Sequence, residues 1–109
     1  MSINKNSDLV ESLQNCITAC EYCADACLGE KDPSSLATCI RLDRNCADVC
    51  ATALRLLIRN SGHTDSIIEL CEEICSDCAE ECEKHDHDHC EDCARACRRC
   101  EEQCRNYLN

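Results

Sequence analysis

The 109-residue chain has no phenylalanine and no tryptophan, and its only aromatics are Tyr22 and Tyr107. Leucine, isoleucine and valine together supply only nineteen residues. With a formal charge of −11, that shortage puts the composition on the disordered side of the usual boundary, because little apolar surface remains to offset chain entropy. An ordinary Leu/Phe core is excluded. Lysine and arginine number eleven against twenty-two acids, the wrong balance for holding a nucleic-acid backbone. No apolar run approaches the length of a bilayer, so no membrane partner is expected. Residues 1–8 are polar and lack the basic-then-apolar layout of a secretory signal. The expected address is therefore a reducing cytoplasm. What the chain has in abundance is cysteine, sixteen in all. In such a compartment that number points to metal or catalysis before disulfides. If the chain folds, the cysteines must be its interior.

Proline and glycine are scarce too, one and two residues respectively, and each falls where a helix should start or stop. Ser7 or Asp8 can cap a first helix over about 8–28, with Gly29 as its stop. Asp32-Pro33 reads as a cap followed by proline in the first turn, opening a second helix over 33–60. Thr64 or Ser66 opens a third over 65–84, with Glu69 in capping-box spacing from Ser66. A fourth covers 88–107. Beta-branched residues never alternate over a strand's length. The predicted fold is all-α: a single domain forming an antiparallel up-down-up-down four-helix bundle with a cysteine-lined interior.

The cysteines are periodic. The first helix carries Cys16, Cys20, Cys23 and Cys27, and the third repeats the same steps of 4, 3 and 4 at Cys71, Cys75, Cys78 and Cys82. The fourth carries Cys90, Cys93, Cys97, Cys100 and Cys104, and the second carries Cys39, Cys46 and Cys50. Alternating threes and fours keep residues on one stripe of a helix, the inward seam of a bundle. A shift of 55 maps the first helix's cysteines onto the third's, and a shift of 54 maps Cys39, Cys46 and Cys50 onto Cys93, Cys100 and Cys104. The chain thus reads as a duplicated helical hairpin. The same shift sets Asp43 opposite Cys97, where the repeat expects a ligand. Either Asp43 faces inward as that ligand, or the helix rotates slightly and Leu42 takes its place.

The seam has two unlike ends. Leu9, Leu13, Ala53, Leu57, Ile67 and Tyr107 should form an apolar plug at one. The other collects Cys27, Cys39, Cys82 and Cys90 beside His85, His87 and His89. Those histidines are either a capture site at an open mouth or a polar connection with exposed rings.

A column of thiols can be plain packing, a set of disulfides or a container for soft metal. Packing alone would mix in alanine, leucine and valine, and disulfides do not suit the expected compartment. Thiolate selects Cu(I), zinc or iron–sulfur clusters. Zinc takes separate tetrahedral groups of four. Cu(I) accepts two or three thiolates, each of which can bridge two metals, so a continuous row would hold about one copper per cysteine, roughly 16 per chain. Multiple Cu(I) ions are the expected cargo. Zinc or general heavy-metal sequestration is the alternative, and a thiol redox protein is a further one. The Cys-x-x-Cys pairs lie inside helices, and only Cys90-Cys93 approaches the helix N-terminus where a redox thiol is activated. No triad, acid–base pair or phosphate loop supports an enzyme.

From about residue 8 to 107 the chain resembles the cytosolic branch of the bacterial copper-storage proteins. The resemblance rests on the C-x3-C-x2-C-x3-C runs at 16–27, 71–82 and 93–104, the cysteine-poorer second helix with Leu42-Asp43-Arg44-Asn45-Cys46, and the histidines at one mouth. It implies a cysteine-filled bundle that binds many Cu(I) ions, with the sixteen cysteines as ligands and Asp43 as a candidate addition. It also implies a homotetramer.

Overall fold

Alternating steps of three and four make each helix a rod with one sulfur-bearing stripe, and four such stripes can be buried only against one another. The computed structural model describes residues 6–109. It contains α1 (Ser7–Leu28), α2 (Ala37–Ile58), α3 (Thr64–Cys82) and α4 (Asp88–Leu108), with no strand among the described residues. Helix α1 packs against α2 and α4, and α3 packs against the same two. Neighbours in sequence are thus neighbours in space, and the chain runs up, down, up and down around one axis. The bundle measures 46 × 19 × 17 Å. No helix among the described residues is long and apolar enough to cross a membrane.

The helix ends depart from expectation in instructive ways. Helix α1 is preceded by Asn6 at the cap position, so Ser7 and Asp8 lie inside its first turn. Pro33 does open a helical stretch, but as a tighter 3₁₀ turn over Pro33–Leu36 that becomes α-helical only at Ala37. Ser34 Oγ donates to Asp32 Oδ1 at 2.6 Å, and Ser35 Oγ donates to the Asp32 carbonyl at 2.7 Å. Helix α2 stops at Ile58 because Asn60 adopts a left-handed conformation with φ of 55°, which asparagine tolerates better than most residues. The amides of Asn60 and Ser61 then donate back to Leu57 and Leu56 at 3.1 and 3.0 Å, closing the last turn. Helix α3 begins at Thr64 after His63, so Ser66 and Glu69 sit inside the helix instead of forming a capping box. The buried Thr64 hydroxyl donates to the carbonyls of Ser61 and Leu56 at 2.7 and 3.1 Å, fastening the turn between α2 and α3.

All sixteen cysteines are fully buried. The apolar plug is present, with Leu9, Leu13, Ala53 and Leu57 buried. Its member from α3 is Ile68, which continues the stripe to Cys71 and Cys75, whereas Ile67 is only partly buried. Tyr107 is likewise partly buried at the end of α4. The duplication survives in three dimensions. Leu9, Leu13, Cys16, Cys20, Cys23, Ala24 and Cys27 correspond to Thr64, Ile68, Cys71, Cys75, Cys78, Ala79 and Cys82, and every one is buried. The hairpins are offset axially: Cys16 lies 3.9 Å from Cys75, one turn from its repeat-mate Cys71. Outside, Arg105 joins Glu72 and Glu101 at 3.0 Å each, and Arg98 joins Glu83 and Glu101 at 2.8 and 3.1 Å. Exposed pairs of this kind stabilise little.

The hydrocarbon plug should therefore carry stability out of proportion to its size. Leu13→Ala is expected to destabilise the metal-free protein by about 2–5 kcal/mol, measured by anaerobic urea unfolding. A cost within error of zero would show that the thiol column alone holds the helices together.

Candidate metal centre

Every helix contributes sulfur to the same axis, so the column is built by periodicity and not by any loop. Beside the plug, Cys50 approaches Cys71 to 3.5 Å and Cys75 to 3.7 Å. One turn on, Cys16 lies within 3.7 Å of Cys46 and of Cys97, and Cys46 is 3.6 Å from Cys75. Cys20 then joins Cys97 and Cys93, each at 3.7 Å. At the far end Cys39 is 3.5 Å from Cys82, and Cys23 is 3.9 Å from Cys90 and from Cys27. All sixteen are free thiols. Their spacing is that of van der Waals neighbours, far beyond a sulfur–sulfur bond of about 2.05 Å.

Of Asp43 and Leu42, it is Asp43 that faces inward. It is fully buried while Leu42 is only partly so. Its Oδ1 accepts from the Cys78 and Cys93 thiols at 3.2 Å each and from Cys82 at 3.6 Å, while Cys39 lies 3.9 Å from Oδ2. Burial, reinforced by the electrostatic influence of the neighbouring Cys93 and Cys78 sulfurs, pushes its carboxyl pKa up to about 10. In the metal-free protein the group is therefore a neutral acid at pH 7, and one more exchangeable proton stands among the thiols. Near the mouth, burial also pushes the Cys27 thiol up to about 11, whereas S–H donors from Cys23 and Cys82 pull Cys39 down.

The three histidines differ in what they can reach. His89 has a side chain only 11% exposed, and its Nδ1 lies 3.4 Å from Cys23, 3.6 Å from Cys90 and 3.9 Å from Cys27. His87 stacks on it with ring centroids 5.3 Å apart and planes 4° from parallel. His85 turns away, donating from Nε2 to Glu81 Oε2 at 2.9 Å. The residue that sequence reasoning missed is Glu30, whose Oε2 lies 2.8 Å from His89 Nε2 and 3.4 Å from His87 Nδ1. The hydrogen bond from His89 holds its carboxyl below the usual range. Its one sequence signal was an acid directly after the glycine stop, at the end where the histidines gather.

The donor set is soft and buried. Groups of four sulfurs lying within 4.8 Å of one another overlap: Cys16 and Cys46 belong both with Cys50 and Cys75 and with Cys20 and Cys97. A thiol shared between neighbouring groups is a bridging ligand in waiting, the arrangement that Cu(I) uses. Three groups without shared members can also be chosen, namely Cys16-Cys46-Cys50-Cys75, Cys20-Cys78-Cys93-Cys97 and Cys23-Cys27-Cys39-Cys90. The column could therefore supply tetrahedral zinc sites as well. Redox chemistry fits poorly. Both members of Cys90-Cys93 are fully buried, whereas an attacking thiol needs access to its substrate.

A family model described as copper storage protein matches residues 2–109. The Cu(I)-bound copper storage protein 3 of Bacillus subtilis is 46% identical, with 93% of this chain and 95% of that one covered at a TM-score of 0.89. A cytosolic copper storage protein of Streptomyces lividans carrying five coppers is 39% identical over 94% of this chain and 91% of that one, with a TM-score of 0.91. An uncharacterized cysteine-rich protein of Bacillus subtilis is 47% identical over 65 residues, 60% of each chain, so this match spans less than two thirds of that relative's length.

The raised Asp43 pKa has a signed consequence. The folded state keeps a proton that the unfolded chain releases above the ordinary carboxyl pKa of about 3.9. Its stabilising contribution is thus complete below that pH and is lost progressively as pH rises towards 10. Between pH 5 and 8 the metal-free wild type should lose stability relative to D43N, with a limiting slope of about 1.4 kcal/mol per pH unit for one proton. Anaerobic urea midpoints across that range would measure it. Parallel profiles for the two proteins would place an ionised Asp43 in the metal-free bundle.

Proposed function

The chain belongs to the copper storage protein family, and from that premise we propose that it stores many Cu(I) ions on cysteine thiolates inside its four-helix bundle. The observation that carries this is the run of closely spaced thiols, with sulfurs shared between adjacent groups along its inner part and Asp43 joining Cys78 and Cys93 to Cys82 and Cys39 towards the mouth. The ligands are the sixteen cysteines. Each binding event exchanges about one thiol proton for one Cu(I), so the interior stays near neutral as it fills. Asp43 adds an oxygen donor between the Cys39–Cys82 and Cys78–Cys93 pairs. At the mouth His89 is the imidazole within reach of sulfur, and His87 and His85 stand outside it as further capture groups.

The proposed role is storage, in keeping with the family to which the chain belongs and with thiols that are all buried. The chain acts as one domain. A cytoplasmic address is supported by the cytosolic description of the Streptomyces lividans relative and by thiols kept free. Assembly into a homotetramer is supported by apolar residues left outside the seam. Tyr22, Leu28, Ile58 and Leu70 are exposed, and Ile17 and Val49 are partly so. Sedimentation of the metal-free protein at four times the 12.2 kDa chain mass would establish it; a monomer would refute it.

Anaerobic titration separates copper storage from the zinc alternative. Cu(I) binding should continue well past four equivalents per chain, towards about one per cysteine, whereas Zn(II) should stop near four. Saturation of both metals at four would show isolated tetrahedral sites and overturn the storage assignment.

A further inference from the structure

Gly29 caps α1, and the next residue, Glu30, reaches the connection that precedes α4. Its Oε2 meets His89 Nε2 at 2.8 Å. A carboxylate at this position can only accept, so the imidazole proton is held on Nε2. The other ring nitrogen, Nδ1, is then left with its lone pair facing inward, towards Cys23 at 3.4 Å, Cys90 at 3.6 Å and Cys27 at 3.9 Å. The His87 ring, stacked in parallel and 3.4 Å from the same oxygen, restricts the ring's rotation further.

We propose that Glu30 is a positioning residue, which fixes the tautomer and orientation of His89 so that an unprotonated Nδ1 meets a soft cation arriving at Cys23, Cys27 and Cys90. This rests on the copper assignment above and concerns what makes the mouth able to accept the ion. Without the carboxylate, His89 is free to move its proton to Nδ1. An N–H would then point at the sulfurs, and a nitrogen carrying a proton there cannot take a cation. The same logic governs metal-binding histidines in general, whose outward nitrogen is held by a carboxylate or carbonyl and whose affinity falls when that partner is removed. The contact joins residues 59 apart in sequence, and the His89 side chain is 11% exposed against 31% for Glu30. The pair thus spans the boundary between solvent and the thiol column.

Two measurements on the intact protein test this. Long-range proton–nitrogen NMR of the metal-free, reduced protein, under conditions where the ring is neutral, should show His89 protonated on Nε2 in wild type. It should show a growing Nδ1–H population in E30A. A merely structural contact would leave that signature unmoved. Stopped-flow transfer of the first Cu(I) equivalents from a coloured Cu(I) chelate should be slowed about tenfold in E30A, with E30Q, which keeps an acceptor, close to wild type. The double variant E30A/H89A should be no slower than H89A, because Glu30 acts through His89. An unchanged tautomer in E30A, or slowing that adds to that of H89A, overturns the proposal. A wild-type rate in H89A would instead overturn the mouth as the route for copper, a separate failure.

Discussion

A buried thiol is a small and weakly polar group, and sixteen of them along one axis replace the branched hydrocarbon that normally holds four helices together. Every other feature of the chain answers to that substitution. The strict rhythm of threes and fours is needed because a single rotated cysteine would leave both a hole in the column and sulfur in solvent. Leu13, Leu57 and Ile68 are gathered at one end, where ordinary packing can anchor the bundle without occupying the column. The acids cover the outside, where they keep a thiol-filled rod soluble.

The column is also an inventory of protons. Empty, it can keep its protons on sulfur and on Asp43, so that little net charge needs to be buried. Filled, each proton is replaced by a singly charged ion, and the electrostatic balance hardly changes. This is why a low-dielectric interior can hold so many metal-binding groups without a positive residue among them. A divalent ion held by four thiolates would instead leave each site with a net negative charge to bury. The packing of sulfur at 3.5–4.0 Å and the charge of Cu(I) suit each other.

The fold and the column were legible because both follow from periodicity, which survives in sequence without knowledge of neighbours. Asp43 was half legible: the repeat placed it opposite Cys97, but a rotation small enough to exchange it with Leu42 leaves no trace in spacing. Burial against Cys78 and Cys93 decides the matter. The helix ends were less legible, since Asn60 and Thr64 close the α2–α3 turn through backbone geometry and a hydroxyl, not through a side-chain cap. Ile68 replaced Ile67 because two adjacent isoleucines satisfy an apolar pattern equally, and only the register to Cys71 tells them apart. The mouth was the least legible part. Three histidines alternating with acids look alike in sequence, yet Glu81 draws His85 aside while Glu30, 59 residues from His89, holds that ring over the thiols.

Copper K-edge X-ray absorption on the fully loaded, anaerobic protein tests the central claim most directly, because it reads the surroundings of the metal itself. If the thiols form one bridged column, the spectra will show two to three sulfur neighbours per copper together with scattering from nearby coppers. Four sulfur neighbours with no copper–copper scattering would mean isolated sites, and would contradict a continuous store.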